Sequence, residues 1–406
     1  MKRLITKRKL AIVVALCAIT ALAVTAYALT SVRLASGTIL FSENFKGPAD
    51  VAMSQVTMQP GDAIAWHYHP GRAYAIVKSG TVTEDHACGG SEVFTAGQAF
   101  EEPIPRVHQA RNTGTVPAEL FVTVIVPSGQ PTRIDTGGPI CVLLDDAQFF
   151  VRQHYADFLN RAPDAAGLTF WTNEITSCGT DQGCIEVKRT NVSAAFLLSI
   201  EFQNTGYLVE RLYKASYGDA TGTSTIGGAH QLAVPIVRLS EFLPDTQTIG
   251  QGVVVGQTGW ETVLENNKQA FVAQFATRAR FTTVFPNSMT AAQFVDTLNA
   301  NAGNPLSTSE RNQLVNDLAM SAKTRAQVLR AVAEDPDLNS AEFNRAFVLM
   351  HYFGYLRRNP NAAPDSDHSG YDFWLTKLNQ LNGNFINAEM VKAFISSGEY
   401  RQRFGS

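Results

Sequence analysis

Near residue 130 the hydrophobic pattern of this 406-residue chain changes period. Over residues 42–127, short runs rich in β-branched and aromatic residues are broken by Gly, Pro and Asp, the last run being Glu119-Leu-Phe-Val-Thr-Val-Ile-Val126. Many short strands with turn signals between them build a small barrel or sandwich. After about Leu143 the apolar residues recur at helical spacing instead, as in Phe150, Tyr155, Phe158 and Leu159, and again in Phe347, Met350, Tyr352, Tyr355 and Leu356. The Gly- and Pro-containing stretch 131–144 reads as the linker between the two parts. The pattern therefore predicts a multidomain chain: a small all-β barrel over 40–130, then an all-α helical repeat domain over 145–405.

The helical part repeats itself. Phe150-Val-Arg-Gln-His-Tyr-Ala-Asp-Phe-Leu-Asn-Arg161-Ala-Pro163 returns as Phe347-Val-Leu-Met-His-Tyr-Phe-Gly-Tyr-Leu-Arg-Arg358-Asn-Pro360. Gly167 and Trp171 follow the first copy, and Gly370 and Trp374 follow the second. Each copy ends in a related tetrapeptide, Ser199-Ile-Glu201-Phe202 or Ser397-Gly-Glu399-Tyr400. A degenerate third copy begins at Phe271-Val272, lacks the Arg-x-Pro and Gly-Trp elements, and ends in Ser340-Ala-Glu342-Phe343. The units run over about 147–215, 268–345 and 345–405, the signature of a repeat array. Residues 218–228, rich in Gly, Thr and Ser, read as a loop.

A 45% hydrophobic and 17% charged composition excludes wholesale disorder, and a net charge of −3 leaves no electrostatic footprint for nucleic acid. That charge averages two unlike parts. Lys2, Arg3, Lys7, Arg8 and Lys9 precede an apolar run ending in Ala26-Tyr27-Ala28, so the remainder carries −8 where the whole carries −3. Residues 1–28 read as an export signal or, uncleaved, as an N-terminal anchor, the one route to membrane contact. Cys17 leaves with the leader, and Leu16 before it argues against lipidation. Four cysteines remain in an oxidising setting. Cys178 and Cys184 close a short Gly-containing loop and are expected to form a disulfide; Cys88 with Cys141 follows by elimination.

The densest chemistry lies in Gly61-Asp-Ala-Ile-Ala-Trp-His67-Tyr-His69, which continues to Gly80. Two histidines two apart on a strand project to one face, so both can reach one ion. A second stretch runs through Gly97, Pro103, His108 and Asn112 and can bring a third histidine from another strand.

The two stretches resemble the paired motifs of the cupin family, with Pro105 in place of a motif glycine. The resemblance implies a double-stranded β-helix barrel and assigns His67, His69 and His108 as ligands of a divalent metal. It also exposes a departure, because Arg72 and Ala73 stand where cupins usually place a ligand Glu. Three histidines can still hold Zn, Fe, Mn, Ni or Cu with open positions. Glu101 and Glu102 are adjacent on a probable strand, so at most one of them can face inward and replace the carboxylate. Trp66, Arg72 and Tyr74, near the motifs, offer aromatic faces and positive charge suited to a small-molecule carboxylate or a saccharide.

The Arg161-x-Pro-Asp-x-x-Gly-x-x-x-Trp171 core and the Ser-x-Glu ends resemble the bacterial domain of unknown function 4214 (DUF4214), a helical family of exported or surface-associated proteins. That resemblance implies location, with a cell-surface or matrix component as partner, and names no catalytic residue. Asp164 reads as an N-cap and Trp171 as a core anchor. The turn holding Asp365, Asp367 and Asp372 has calcium-like spacing, but Thr376 occupies the position of the closing Glu, and capping is the better reading. His154 and His351 hold equivalent repeat positions, which favours packing over ligation. Three functions stay open: an exported metal-binding cupin protein acting on a small ligand, with its helices at the cell surface; a non-catalytic adhesion or matrix protein with a structural or carbohydrate-binding barrel; and a three-histidine iron oxygenase.

Overall fold

The computed structural model describes residues 29–42, 47–87, 89–102, 106–140 and 143–404. The leader, Cys88, Pro103, Pro105 and Cys141 lie outside the described residues, and with them the expected cleavage site and the second disulfide. No described helix is long and apolar enough to cross a membrane.

Two five-stranded sheets form the N-terminal part. One runs β1 (Thr30–Ser42), β2 (Gly47–Met58), β9 (Ala118–Pro127), β4 (Arg72–Ser79), β7 (Ala99–Glu102). The other runs β10 (Ile134–Asp135), β3 (His67–Tyr68), β8 (His108–Arg111), β5 (Thr81–His86), β6 (Ser91–Thr95). β4 shows the alternation that builds the barrel: Ala73, Ala75 and Val77 are buried, while Tyr74 and Ile76 are exposed. With Val56, Met58, Val82, Ala110, Ala118 and Leu120, the inward residues fill the interior. The sheet begins earlier than expected, at Thr30, because β1 pairs along its length with β2. The stretch read as linker is also tied in, since Ile134 pairs with Tyr68 and Asp135 with His67.

The motif glycine Gly80 has φ +77°, and a Cβ there would stand 2.6 Å from the Pro117 carbonyl. Only glycine takes that turn without strain. Asn112 braces the neighbouring turn: its Nδ2 donates to the Met58 and Val116 carbonyls, and its Oδ1 accepts from the Gly114 amide.

The helical part packs around one continuous core, which Tyr68 and Val107 of the barrel join. The repeated elements turn out to be partners. Arg161 holds Glu201 through two bonds of 2.8 and 2.9 Å, and Arg358 holds Glu399 through two of 2.5 and 3.0 Å. Ser199 and Ser397 cap the short helices that carry those glutamates, accepting from the Phe202 and Tyr400 amides. Asp164 caps its helix as expected, and Trp171 packs against Phe196. Among the aspartates of the calcium-like turn, Asp365 accepts from Arg358, Asp367 from the Ser369 amide and Asp372 from the Ser224 hydroxyl, so capping and bridging occupy them. His154 and His351 are buried, each sharing its Nδ1 hydrogen with the carbonyl four residues earlier.

Two sequence readings need correction. Residues 218–228 are not a loop: Asp219–Ser224 pairs with His230–Pro235 in a hairpin. Ala220, Gly222 and Ser224 face inward and the threonines outward, and Gly222 leaves room for the His368 ring, which a Cβ would meet at 2.7 Å. Ser340-Ala-Glu342-Phe343 does not end a unit as its counterparts do. It lies inside the Pro336–His351 helix, which Asp335 caps.

Candidate metal centre

β3 is two residues long, and its pairing assembles the site. His67 stands opposite His108 of β8, and the ring centroids are 4.3 Å apart. His67 and His69 share a face, with centroids 5.1 Å apart, while Tyr68 between them turns outward onto Phe149. All three imidazoles are buried, and one ring nitrogen of each lies within 4.8 Å of the others.

Each ring is oriented by a backbone carbonyl. Nδ1 of His67 reaches Ala65 at 2.7 Å, that of His69 reaches Thr132 at 2.5 Å, and that of His108 reaches Arg106 at 2.9 Å. A carbonyl can only accept, so each Nδ1 carries hydrogen and each neutral ring keeps its Nε2 lone pair for the interior.

Of the two adjacent glutamates, Glu102 turns its carboxylate toward the histidines. It pairs with Ala73 in the β4–β7 ladder, so it projects to the same face from directly across the position where the cupin Glu is missing. Its Oε2 lies 2.8 Å from His69 Nε2 and 3.4 Å from His108 Nε2. Glu101 faces out and pairs with Arg72 at 2.7 Å. A second carboxylate, Glu84 on β5, is buried 3.7 Å from His108 Nε2, with no hydrogen bond to either of its oxygens.

Bare ring nitrogens and a carboxylate oxygen at these distances repel one another unless a proton or a cation lies between them. Protons satisfy the set only in part. Burial, then the nearby His108 and His69, push the His67 imidazole down to about 3. Burial opposes charge on His108 as well, but the Glu102 carboxylate holds it above the usual range. Glu102 is held well below the carboxylate range, because hydrogen bonds from His108 and His69 outweigh its burial, while burial pushes Glu84 up. Four donors about 2.1 Å from a tetrahedral zinc stand about 3.4 Å apart. Within the His67, His69, His108 and Glu102 set, the carboxylate oxygen stands 2.8 and 3.4 Å from His69 and His108 Nε2, and the three imidazole donors lie within 4.8 Å of one another. The residues present therefore fit a divalent ion.

The proposed ligand-contacting residues are not brought to this cluster. Trp66 has the outward parity of Tyr68 and packs against the helical core. Arg72 and Tyr74 lie on the outer face of β4. Glu84 was missed, although the alternation Val82, Glu84 along β5 marks it as inward.

Comparison with known proteins agrees with this architecture. The cupin domain model matches residues 54–126, and the model of the domain of unknown function (DUF4214) matches residues 144–205. Among curated proteins, none matches the chain. Similar solved structures include a conserved protein with a double-stranded beta-helix domain from Klebsiella pneumoniae, at 22% identity and TM-score 0.22, covering 27% of this chain and 85% of that one. A sugar phosphate isomerase of the cupin superfamily from Silicibacter pomeroyi is similar at 21% identity and TM-score 0.20, covering 21% and 57%. A Cupin 2 conserved barrel domain protein from Salinispora arenicola is similar at 19% identity and TM-score 0.20, covering 25% and 76%. The chain thus joins a segment matching the cupin domain, residues 54–126, to a segment matching the domain of unknown function 4214, residues 144–205.

Proposed function

We propose that His67, His69, His108 and Glu102 hold a divalent metal ion that takes a small-molecule ligand, in an exported protein whose helical part associates with the cell surface. The observation that carries the metal reading is the cluster of three buried imidazoles, each with Nε2 freed by an Nδ1 contact to a carbonyl, with the Glu102 carboxylate oxygen against His69 and His108. A bound divalent ion there supplies a Lewis acid and lowers the pKa of coordinated water. The chain's own residues do the rest. The Ala65, Thr132 and Arg106 carbonyls fix the ring tautomers, and Glu102 adds negative charge that favours a cation. Glu84, whose carboxyl is pushed up by burial, lies beside His108.

Export is supported by the basic, apolar leader and by the Cys178–Cys184 disulfide, a bond that oxidising compartments preserve. For association at a surface the reading rests on the resemblance of the helical part to the domain of unknown function 4214, whose model matches residues 144–205. Elemental analysis of the purified mature protein tests the metal reading. About one divalent ion per chain is expected, falling to background in His67→Ala and His108→Ala; wild-type protein without stoichiometric metal overturns it.

A further inference from the structure

A cavity of about 340 Å³ lies between the barrel and the helices, on the opposite face of β3 from the histidines. Tyr68 and Pro70 bound it on the barrel side, and Phe149, Arg152, Arg357 and Arg403 on the helical side. Because side chains alternate along β3, this cavity shares a strand with the imidazoles but not a space.

Three guanidiniums and one carboxylate line it. Arg403 takes both oxygens of the buried Asp157, at 3.0 and 2.9 Å. Arg357 comes no closer than 4.0 Å to that carboxylate and donates to the Asp157 carbonyl at 3.3 Å. The Nε of Arg152 is buried without a hydrogen-bond partner. Arg152 also forms no ion pair with a described carboxylate. The side chain of Gln247 lines the same space, and its Oε1 is likewise buried and unpartnered. A charged N–H buried without an acceptor is costly, so the arrangement is stabilised when an anion supplies one to the Arg152 Nε. Ile134, Leu239, Leu243 and Phe404 form an apolar part of the wall, beside Ser128, Gln130, Gln153 and Asn160.

We propose that this cavity binds a small organic carboxylate, whose anionic end pairs with Arg152 and Arg357 and whose apolar body rests on Phe149, Leu243 and Phe404. Planar guanidinium forks match a carboxylate, and a cavity of this volume accommodates a drug-sized or smaller ligand. Calorimetric titration of the full chain with benzoate tests the proposal. Wild type is expected to bind saturably, and Arg152→Gln to bind about 10–100-fold more weakly, the ordinary effect of losing a charged hydrogen-bond donor. Arg152 supports no internal hydrogen bond among the described residues, so this variant keeps its fold, as circular dichroism would verify. Arg311→Gln, which makes the same charge change at a surface pair with Asp296, is expected to leave the affinity unchanged. Three results overturn the proposal: no saturable binding by wild type, equal weakening by Arg311→Gln and Arg152→Gln, or inorganic phosphate and benzyl alcohol binding as tightly as benzoate.

Discussion

Gly167 sits at the third position of the Ala165–Thr176 helix, where alanine would ordinarily stabilise by about 0.8–1 kcal/mol. Here it should do the reverse. A Cβ on Gly167 would stand 2.2 Å from the Tyr155 hydroxyl oxygen and 3.3 Å from the ring carbon that carries it. Ordinary contact begins near 3.4 Å, so the hydroxyl would have to retreat by more than 1 Å. The buried Tyr155 ring has little room to give, because it stacks edge-on against Phe196 at 4.8 Å and carries the Arg161 guanidinium at 4.8 Å. Overpacking of this kind costs about 1–3 kcal/mol, which offsets the helix gain and leaves a net loss of up to about 2 kcal/mol for Gly167→Ala. Replacing Tyr155 by Phe removes the offending oxygen and leaves the 3.3 Å contact to the ring and a 3.1 Å contact to Asp164 Oδ2, each a few tenths of an ångström too close. A double-mutant cycle should therefore show a favourable coupling of about 1–3 kcal/mol, the overpacking that Phe relieves. Hydrogen exchange of the 165–176 amides, read by mass spectrometry in the full chain, localises the effect to the helix. If Gly167→Ala protects those amides as strongly in the Tyr155 background as in the Phe background, the packing argument is wrong. The same contact recurs between Gly370 and the Tyr352 hydroxyl, at 2.4 Å, which explains why both intact repeats keep the glycine.

Three further outcomes follow from the geometry. Glu102→Ala should weaken metal binding about 10–100-fold in competition with a chelator. Glu101→Ala, which touches only Arg72, should not, and equal losses would show that the wrong carboxylate has been assigned. Burial pushes His154 down to about 4 and His351 to about 3, so the unfolded chain binds protons more readily than the folded one. Their stabilisation is complete above an unfolded value near 6.5 and is lost as pH falls below it, by about 2 kcal/mol each at pH 5. The urea midpoint of His154→Gln should therefore fall less between pH 7 and pH 5 than that of wild type, and a parallel fall would contradict the assignment. Replacing Cys178 and Cys184, six residues apart, by Ser should destabilise by about 2 kcal/mol on loop entropy, checked by the same midpoint in oxidised and reduced protein.

Where sequence and structure part, strand parity explains most of it. The rule that put His67 and His69 on one face also places Trp66 and Tyr68 on the other, and Arg72 and Tyr74 outside, so their nearness in sequence was misleading. Parity also shows that only one of Glu101 and Glu102 can face inward. Choosing between them requires the register Ala73↔Glu102, which depends on a strand nearly thirty residues away. Glu84 carries no motif: alternation with Val82 marks it as inward, but its place beside His108 requires the pairing of β5 with β8, where Glu84 stands opposite Ala110. The Arg-x-Pro and Ser-x-Glu elements were legible as repeats, yet their meaning, one bidentate ion pair per unit, requires the fold.

Anomalous diffraction from crystals of the mature protein, recorded on both sides of the absorption edge of whichever metal elemental analysis finds, tests the metal centre most directly. One strong peak is expected inside the barrel, bounded by Nε2 of His67, His69 and His108 and by Oε2 of Glu102. A peak lying elsewhere, or an ordered barrel with no peak among those four atoms in metal-replete crystals, would contradict it.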